Sequence, residues 1–124
     1  MKNEYKILDN GTTEIYCKKI DGRIITVKID TADLKLVSTY DTWFAIPDKV
    51  SNKYYIRTGR TRNHKTETIL LHRLIMDFPE GLVVNHINSN STDNTRKNLE
   101  VVTNQKNVLH GKQAIEVIVR QVPS

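Results

Sequence analysis

The sequence holds one cysteine, Cys17, in 124 residues. A lone thiol excludes an intramolecular disulfide and every multi-cysteine zinc site. Three prolines and five glycines are scattered singly, so no Pro/Gly-rich linker divides the chain, and no internal repeat or low-complexity tract is present. Apolar runs stop at four or five residues, far short of the roughly 20 that span a bilayer. The opening MKNEYKILDNG has no apolar stretch behind its lysines and does not read as a secretory signal. These absences describe a small, reduced, cytosolic globular protein with no membrane partner.

What is present is a mild excess of positive charge, 19 Lys/Arg against 14 Asp/Glu, which favours an anionic partner. Residues 1–62 carry 12 basic and 8 acidic side chains, a net of +4, whereas residues 63–124 carry 7 and 6, a net of +1. The densest part is IRTGRTRNHKT, with Arg57, Arg60, Arg62 and Lys65 around a Gly-containing loop or hairpin tip. Read alone, such a run is a solvated surface loop.

EIYCKK (14–19) and RIITVKI (23–29) flank Asp21-Gly22 and predict a β-hairpin. Thr31-Ala32-Asp33-Leu34 reads as a helix start, with Leu34 and Val37 facing inward. WFAI (43–46) is a strand that Pro47 ends, and Tyr54-Tyr55-Ile56 is another. Trp43, Phe44, Tyr54 and Tyr55 are assigned to the core rather than to base stacking. TILLHRLIMDF (68–78) has Leu71, Leu74 and Ile75 at helical spacing and stops at Pro79-Glu80-Gly81. LVVNHI (82–87) is a strand, NSNSTDNTRKN (88–98) a loop without an apolar residue, LEVVT (99–103) a second strand and NQKNVLHGKQ (104–113) a helix. Residues 82–113 thus form a ββα unit, and IEVIV (115–119) is β-rich with no assigned role.

Within that unit His86, Asn98 and Asn107 are spaced by 12 and 9 positions. A strand pair packed on a helix brings the three places together. Phosphodiester hydrolysis needs such a set. An imidazole takes a proton from water near neutral pH, an amide or its carbonyl orients the ring, and oxygen ligands hold a hard divalent cation.

The phrase LHRLIMDFPEGLVVNHINSNSTDNTRKNLEVVTNQKN resembles the HNH endonuclease family, in its phage and bacterial homing-endonuclease-like branch. The matches are Leu71-His72-Arg73, His86-Ile87-Asn88, Asp93-Asn94, Asn98-Leu99 and Asn107. The resemblance covers about residues 68–108 and is weaker over 10–60.

It implies an α+β fold, with a β-rich, DNA-binding lobe over 1–67 and a ββα-metal (His-Me finger) nuclease unit over 68–124. It implies a metal-dependent DNA endonuclease with His86 as general base, Asn98 orienting it, and Asn85 and Asn107 as metal ligands. One Mg²⁺ is the expected cofactor, with Mn²⁺ also accepted. Double-stranded DNA is the expected partner, in a bacterial or phage-infected cell, held by Arg57, Arg60, Arg62, Lys65, Arg73 and Arg96. His72 is read as structural or as supporting the site, Arg73 as a structural or a phosphate contact, and His110, one helical turn beyond Asn107, as a further histidine able to approach it. Specificity is then modest or supplied by a homodimer.

One residue departs from the pattern. Asn85 stands before His86, where the family has its charged metal ligand, aspartate. Two neutral amide ligands leave the anionic ligation to the scissile phosphate, so metal affinity and catalysis should be weakened. The departure is either an exchange introduced to trap an uncleaved complex or a naturally weakened member, and the intact remainder of the motif favours the former. The competing function is a non-catalytic DNA-binding protein that keeps the nuclease scaffold.

Overall fold

A computed structural model of the chain describes residues 1–51 and 53–103, and the backbone of 118–120. The expected hairpin forms between β2 (Thr12–Lys18) and β3 (Ile24–Asp30), with Gly22 at φ 87° in the turn. Alternation places Thr13, Ile15, Cys17, Val27 and Ile29 on one buried face. Burial pushes the Cys17 thiol up to about 12, so it is a core side chain without thiolate chemistry. A short strand absent from the sequence reading, β1 (Tyr5–Ile7), adds to β2.

After β3, a single 3-10 turn (Thr31–Asp33) leads into α1 (Leu34–Val37). The sheet then continues through β4 (Phe44–Asp48), β5 (Lys53–Arg62) and β6 (Lys65–Leu70). Pro47 lies inside β4 instead of ending it. Only Phe44 of β4 pairs with β2, so beyond it that side of the strand asks no N–H of the proline. Asn3 bridges the gap between β2 and β4: its amide donates to Tyr16 O and Trp43 O at 2.9 and 2.8 Å and accepts from Trp43 N at 2.8 Å. Trp43 is fully buried, with its indole N–H donating to Val37 O at 3.1 Å. Phe44 and Tyr55, assigned to the core from sequence, are exposed on the outer face of the sheet.

β5 and β6 form a long ribbon closed by Asn63-His64, both at positive φ (53° and 65°), as a two-residue hairpin turn demands. The expected helix over 68–78 is shorter. Residues 68–70 complete β6, and α2 covers Leu71–Ile75. It ends before Pro79, because Asp77 adopts φ 61° and Phe78 N donates back to Arg73 O at 2.7 Å, a Schellman-type stop.

β7 (Val83–His86) and β9 (Leu99–Val102) pair antiparallel, and β10 (Ile118–Arg120) adds to β9. Ile118 and Val119, from the β-rich stretch, thereby belong to a third strand. Between β7 and β9 the polar loop contains β8 (Asp93–Asn94), which joins the large sheet in parallel with β3. Among the described residues the architecture is a seven-stranded mixed sheet and a separate three-stranded sheet with short helices, mostly β. The helix expected over 104–113 lies outside the described residues. One hydrophobic cluster unites Ile15, Val27, Trp43 and Ile56 with Leu71, Leu74, Val84, Leu99 and Val101. The boundary drawn at 67/68 falls within β6, so both sides of it share this core.

A partly buried ion pair reinforces the join. The Arg96 guanidinium donates to both carboxylate oxygens of Asp33, at 2.8 and 3.1 Å, while Arg96 N donates to Asp30 at 3.0 Å. Asp33 is 4% exposed. Removing one member of such a pair strands a desolvated charge. Arg96→Ala is expected to lower folding stability by about 3 kcal/mol in urea titrations, and a loss within experimental error would show that the pair carries no such constraint.

Candidate active site

The β7–β9 pair delivers His86 at the end of one strand and Leu99 opposite it, with Asn85 directly across from Glu100. His86 Nε2 lies 2.8 Å from Asn94 Oδ1, and Asn94 Nδ2 donates to Ser91 O at 3.1 Å. Burial holds the His86 imidazole below its usual range; the Asn94 bond opposes that shift, the charge of Lys53 adds to it, and Asp93 opposes it. The net effect favours the neutral form of the ring.

His72, the second residue of α2, lies against His86 with ring centroids 5.1 Å apart and planes at 49°. Burial, with His86 and Arg73 adding to it, depresses His72 to about 3. His72 is thus a buried ring, held in its neutral form, that packs against His86.

Asn98 sits beneath the loop, 6% exposed. Its Oδ1 accepts from Asn88 N at 3.0 Å, and its Nδ2 donates to Asn88 Oδ1 and Asp93 O, each at 2.9 Å. Its carbonyl accepts from Ile87 N at 2.8 Å. The side chain bonded to His86 is Asn94. Asn98 clamps both ends of the loop that bears it. Asn107 and His110 lie outside the described residues.

Asn85 is exposed at the strand end, and its Nδ2 donates to Glu100 Oε1 at 3.0 Å. Glu100 is 7% exposed. The amide is thereby turned so that Nδ2 meets the carboxylate, leaving Oδ1 as the ligand-type atom. An acidic side chain thus stands behind Asn85. Aspartate at position 85 has no N–H for Glu100 and would set two carboxylates in contact. Among the described residues no group of three or more His, Cys, Asp or Glu side chains forms a metal cage.

The six candidate DNA contacts do not form one surface. Arg57 lies on the exposed face of β5, whereas Arg60 and Arg62 alternate to the other. Arg60 donates to Glu67 at 2.8 Å, and Arg62 pairs across the ribbon with Lys65. Arg73 donates to Leu82 O and Pro79 O at 3.0 and 2.9 Å, fixing the approach to β7, and Arg96 is held by Asp33. Arg73 and Arg96 therefore serve the scaffold, leaving Arg57, Arg62 and Lys65 as the cations without an acidic side-chain partner among the described bonds. Sequence reasoning missed Asn94, Glu100 and Lys53. Asn94 was legible only as part of the family phrase, Glu100 only through strand register, and Lys53 through no local signal.

Residues 70–109 match the family model for HNH endonucleases. A curated relative, the SPbeta prophage-derived protein YosQ of Bacillus subtilis (strain 168), assigned as an HNH homing endonuclease, is 44% identical over 62 residues, covering 45% of this chain and 36% of that protein. A solved structure concerning DNA binding and cleavage by the HNH homing endonuclease I-HmuI aligns with 90% of this chain and 59% of that one, at 23% identity and a TM-score of 0.45. The chain thus spans well under two thirds of either protein's length. The segment 70–109 carries the HNH endonuclease pattern, as the resemblance read from the sequence holds.

Two outcomes follow from this geometry. Asn85→Asp alone is expected to destabilise the fold at neutral pH, and Glu100→Gln introduced with it to restore stability, with a coupling of about 1–3 kcal/mol in a double-mutant cycle; additive effects would exclude the contact. His72 has its folded pKa below its unfolded value, so it binds its proton preferentially in the unfolded chain. Its penalty is absent above about pH 6.5 and grows as pH falls toward 3. Replacing it with leucine should therefore flatten the acid limb of the stability profile by about 1.4 kcal/mol per pH unit, and an unchanged slope would contradict the burial of a neutral ring.

Proposed function

We propose that the chain is a metal-dependent DNA endonuclease in which His86 is the general base. The observation that carries this reading is a half-buried imidazole, bonded on one side by Asn94, at the strand end of a segment matching HNH endonucleases. Water is activated by proton transfer to His86 and attacks the phosphorus in line with the 3′-oxygen, giving 5′-phosphate and 3′-hydroxyl ends.

The donor chemistry fits a hard cation such as Mg²⁺, with Mn²⁺ as substitute. Asn85 offers an amide oxygen backed by the Glu100 carboxylate, and Asn107 offers a second from sequence. Mg²⁺ keeps several waters and shares its remaining positions between a few protein oxygens and phosphate, so a sparse protein ligand set suffices. When bound, the ion supplies neutralisation of charge on the leaving oxygen. Arg62 and Lys65 on one face of the β5–β6 ribbon, and Arg57 on the other, hold phosphates, and a two-stranded ribbon is narrow enough to lie in the major groove.

The alternative, a DNA-binding protein without catalysis, is favoured by Asn85 standing where the family has aspartate. Plasmid nicking in Mg²⁺ or Mn²⁺ separates the two. The native chain is expected to nick, and His86→Ala to lose about 10²–10⁴ of that rate. Salt-dependent DNA binding without metal-dependent scission would overturn the enzymatic reading in favour of the second.

A further inference from the structure

The pairing of His86 with Asn94 fixes more than the position of the ring. Asn94 Nδ2 donates to Ser91 O at 3.1 Å, so Oδ1 is the atom that faces His86 Nε2 at 2.8 Å. A carbonyl oxygen can only accept. Nε2 therefore carries the proton, and Nδ1 keeps the free lone pair. The opposite tautomer would bring two lone pairs together at hydrogen-bond distance. Asn94 has little freedom to turn away: it is 1% exposed, and its backbone pairs with Ile29 in the large sheet.

Asn98, to which the family resemblance assigns the orienting role, commits its side chain to Asn88 and to Asp93 O. It braces the loop without touching the imidazole among the described bonds.

We propose that Asn94 is the positioning residue of the reaction, holding His86 in its Nε2–H tautomer so that Nδ1 is the basic atom offered to the attacking water. This rests on the reading of His86 as general base. As Nδ1 gains its proton, the ring becomes an imidazolium, and the Nε2–H bond to Asn94 becomes charge-assisted and stronger. The bond thus stabilises the transition state more than the ground state, which is the condition for raising kcat. Asn98 acts one step further out, by keeping Asn94 and the loop in register.

The tautomer is read directly from ¹⁵N–¹H correlation spectra of the imidazole in the metal-free native chain, at a pH where His86 is neutral. The Nε2–H pattern is expected. Asn94→Ala should shift His86 toward a tautomer mixture and lower kcat in plasmid nicking by about 10- to 100-fold, with KM within about twofold. Asn94→Asp keeps an acceptor and should retain the tautomer and recover most of kcat. An Nδ1–H ring in the native chain, or an Asn94→Ala protein with unchanged tautomer and kcat, would overturn the assignment. Should Asn94→Ala fail to fold, the native spectrum and Asn94→Asp still decide it. A chain that cleaves no DNA removes the reading of His86 as base, while the tautomer measurement independently decides whether Asn94 holds the ring.

Discussion

Two residues of backbone pairing tie the site to the rest of the molecule. Asp93 and Asn94 run parallel to Lys28 and Ile29, so a loop without apolar side chains is carried by the edge of a large sheet. Ile29 is fully buried in the core, which makes this edge a rigid support. The Asp33–Arg96 pair lies just beyond and prevents the loop from peeling away. Without that anchorage, Asn94 would sit in a polar connection between β7 and β9 with no hydrophobic contact to locate it. The N-terminal sheet therefore positions a side chain of the site, besides displaying the basic ribbon.

The loop meets its own polar demands by a chain of short-range bonds. Asn88 Oδ1 accepts from Asn90 N, Asn90 Oδ1 accepts from Thr92 N and its hydroxyl, and Asp93 Oδ1 accepts from Thr95 N and its hydroxyl. Asn98 closes the series from below, through Asn88 and Asp93. Asparagine and aspartate suit this task because their short side chains reproduce a backbone turn. Their abundance in 88–98 thus has two causes: most of them build the loop, and one of them, Asn94, is left pointing at the imidazole.

The part of this that local pattern carries was legible. The hairpin at Asp21-Gly22, the strand ends at His86 and Leu99 and the helical spacing of Leu71, Leu74 and Ile75 depend on residues close in sequence. The family phrase singled out His86 and quoted Asn94 without a task. What escaped the reading depends on long-range register. Arg96 looks like a free cation, yet its partner Asp33 is 63 positions away. Glu100 looks like an ordinary strand residue until pairing sets it opposite Asn85. The overlong helix over 68–78 arose because Thr68-Ile69-Leu70 fit either a helix or a strand, and only pairing with Arg57, Thr58 and Gly59 decides between them.

Charge is divided so that the centre stays neutral while its surroundings are not. His72 and His86 lie against each other as two tilted rings, and burial disfavours the charged form of both. Glu100, across the strand pair, meets an amide at Asn85 instead of a second carboxylate, which avoids a like-charge contact. Basic side chains gather instead on the β5–β6 ribbon, where their long stems keep the charged heads in solvent. A single Asp-to-Asn difference at position 85 therefore cannot be judged by ligand charge alone: the amide is the group that fits Glu100, and exchanging it alters both partners at once.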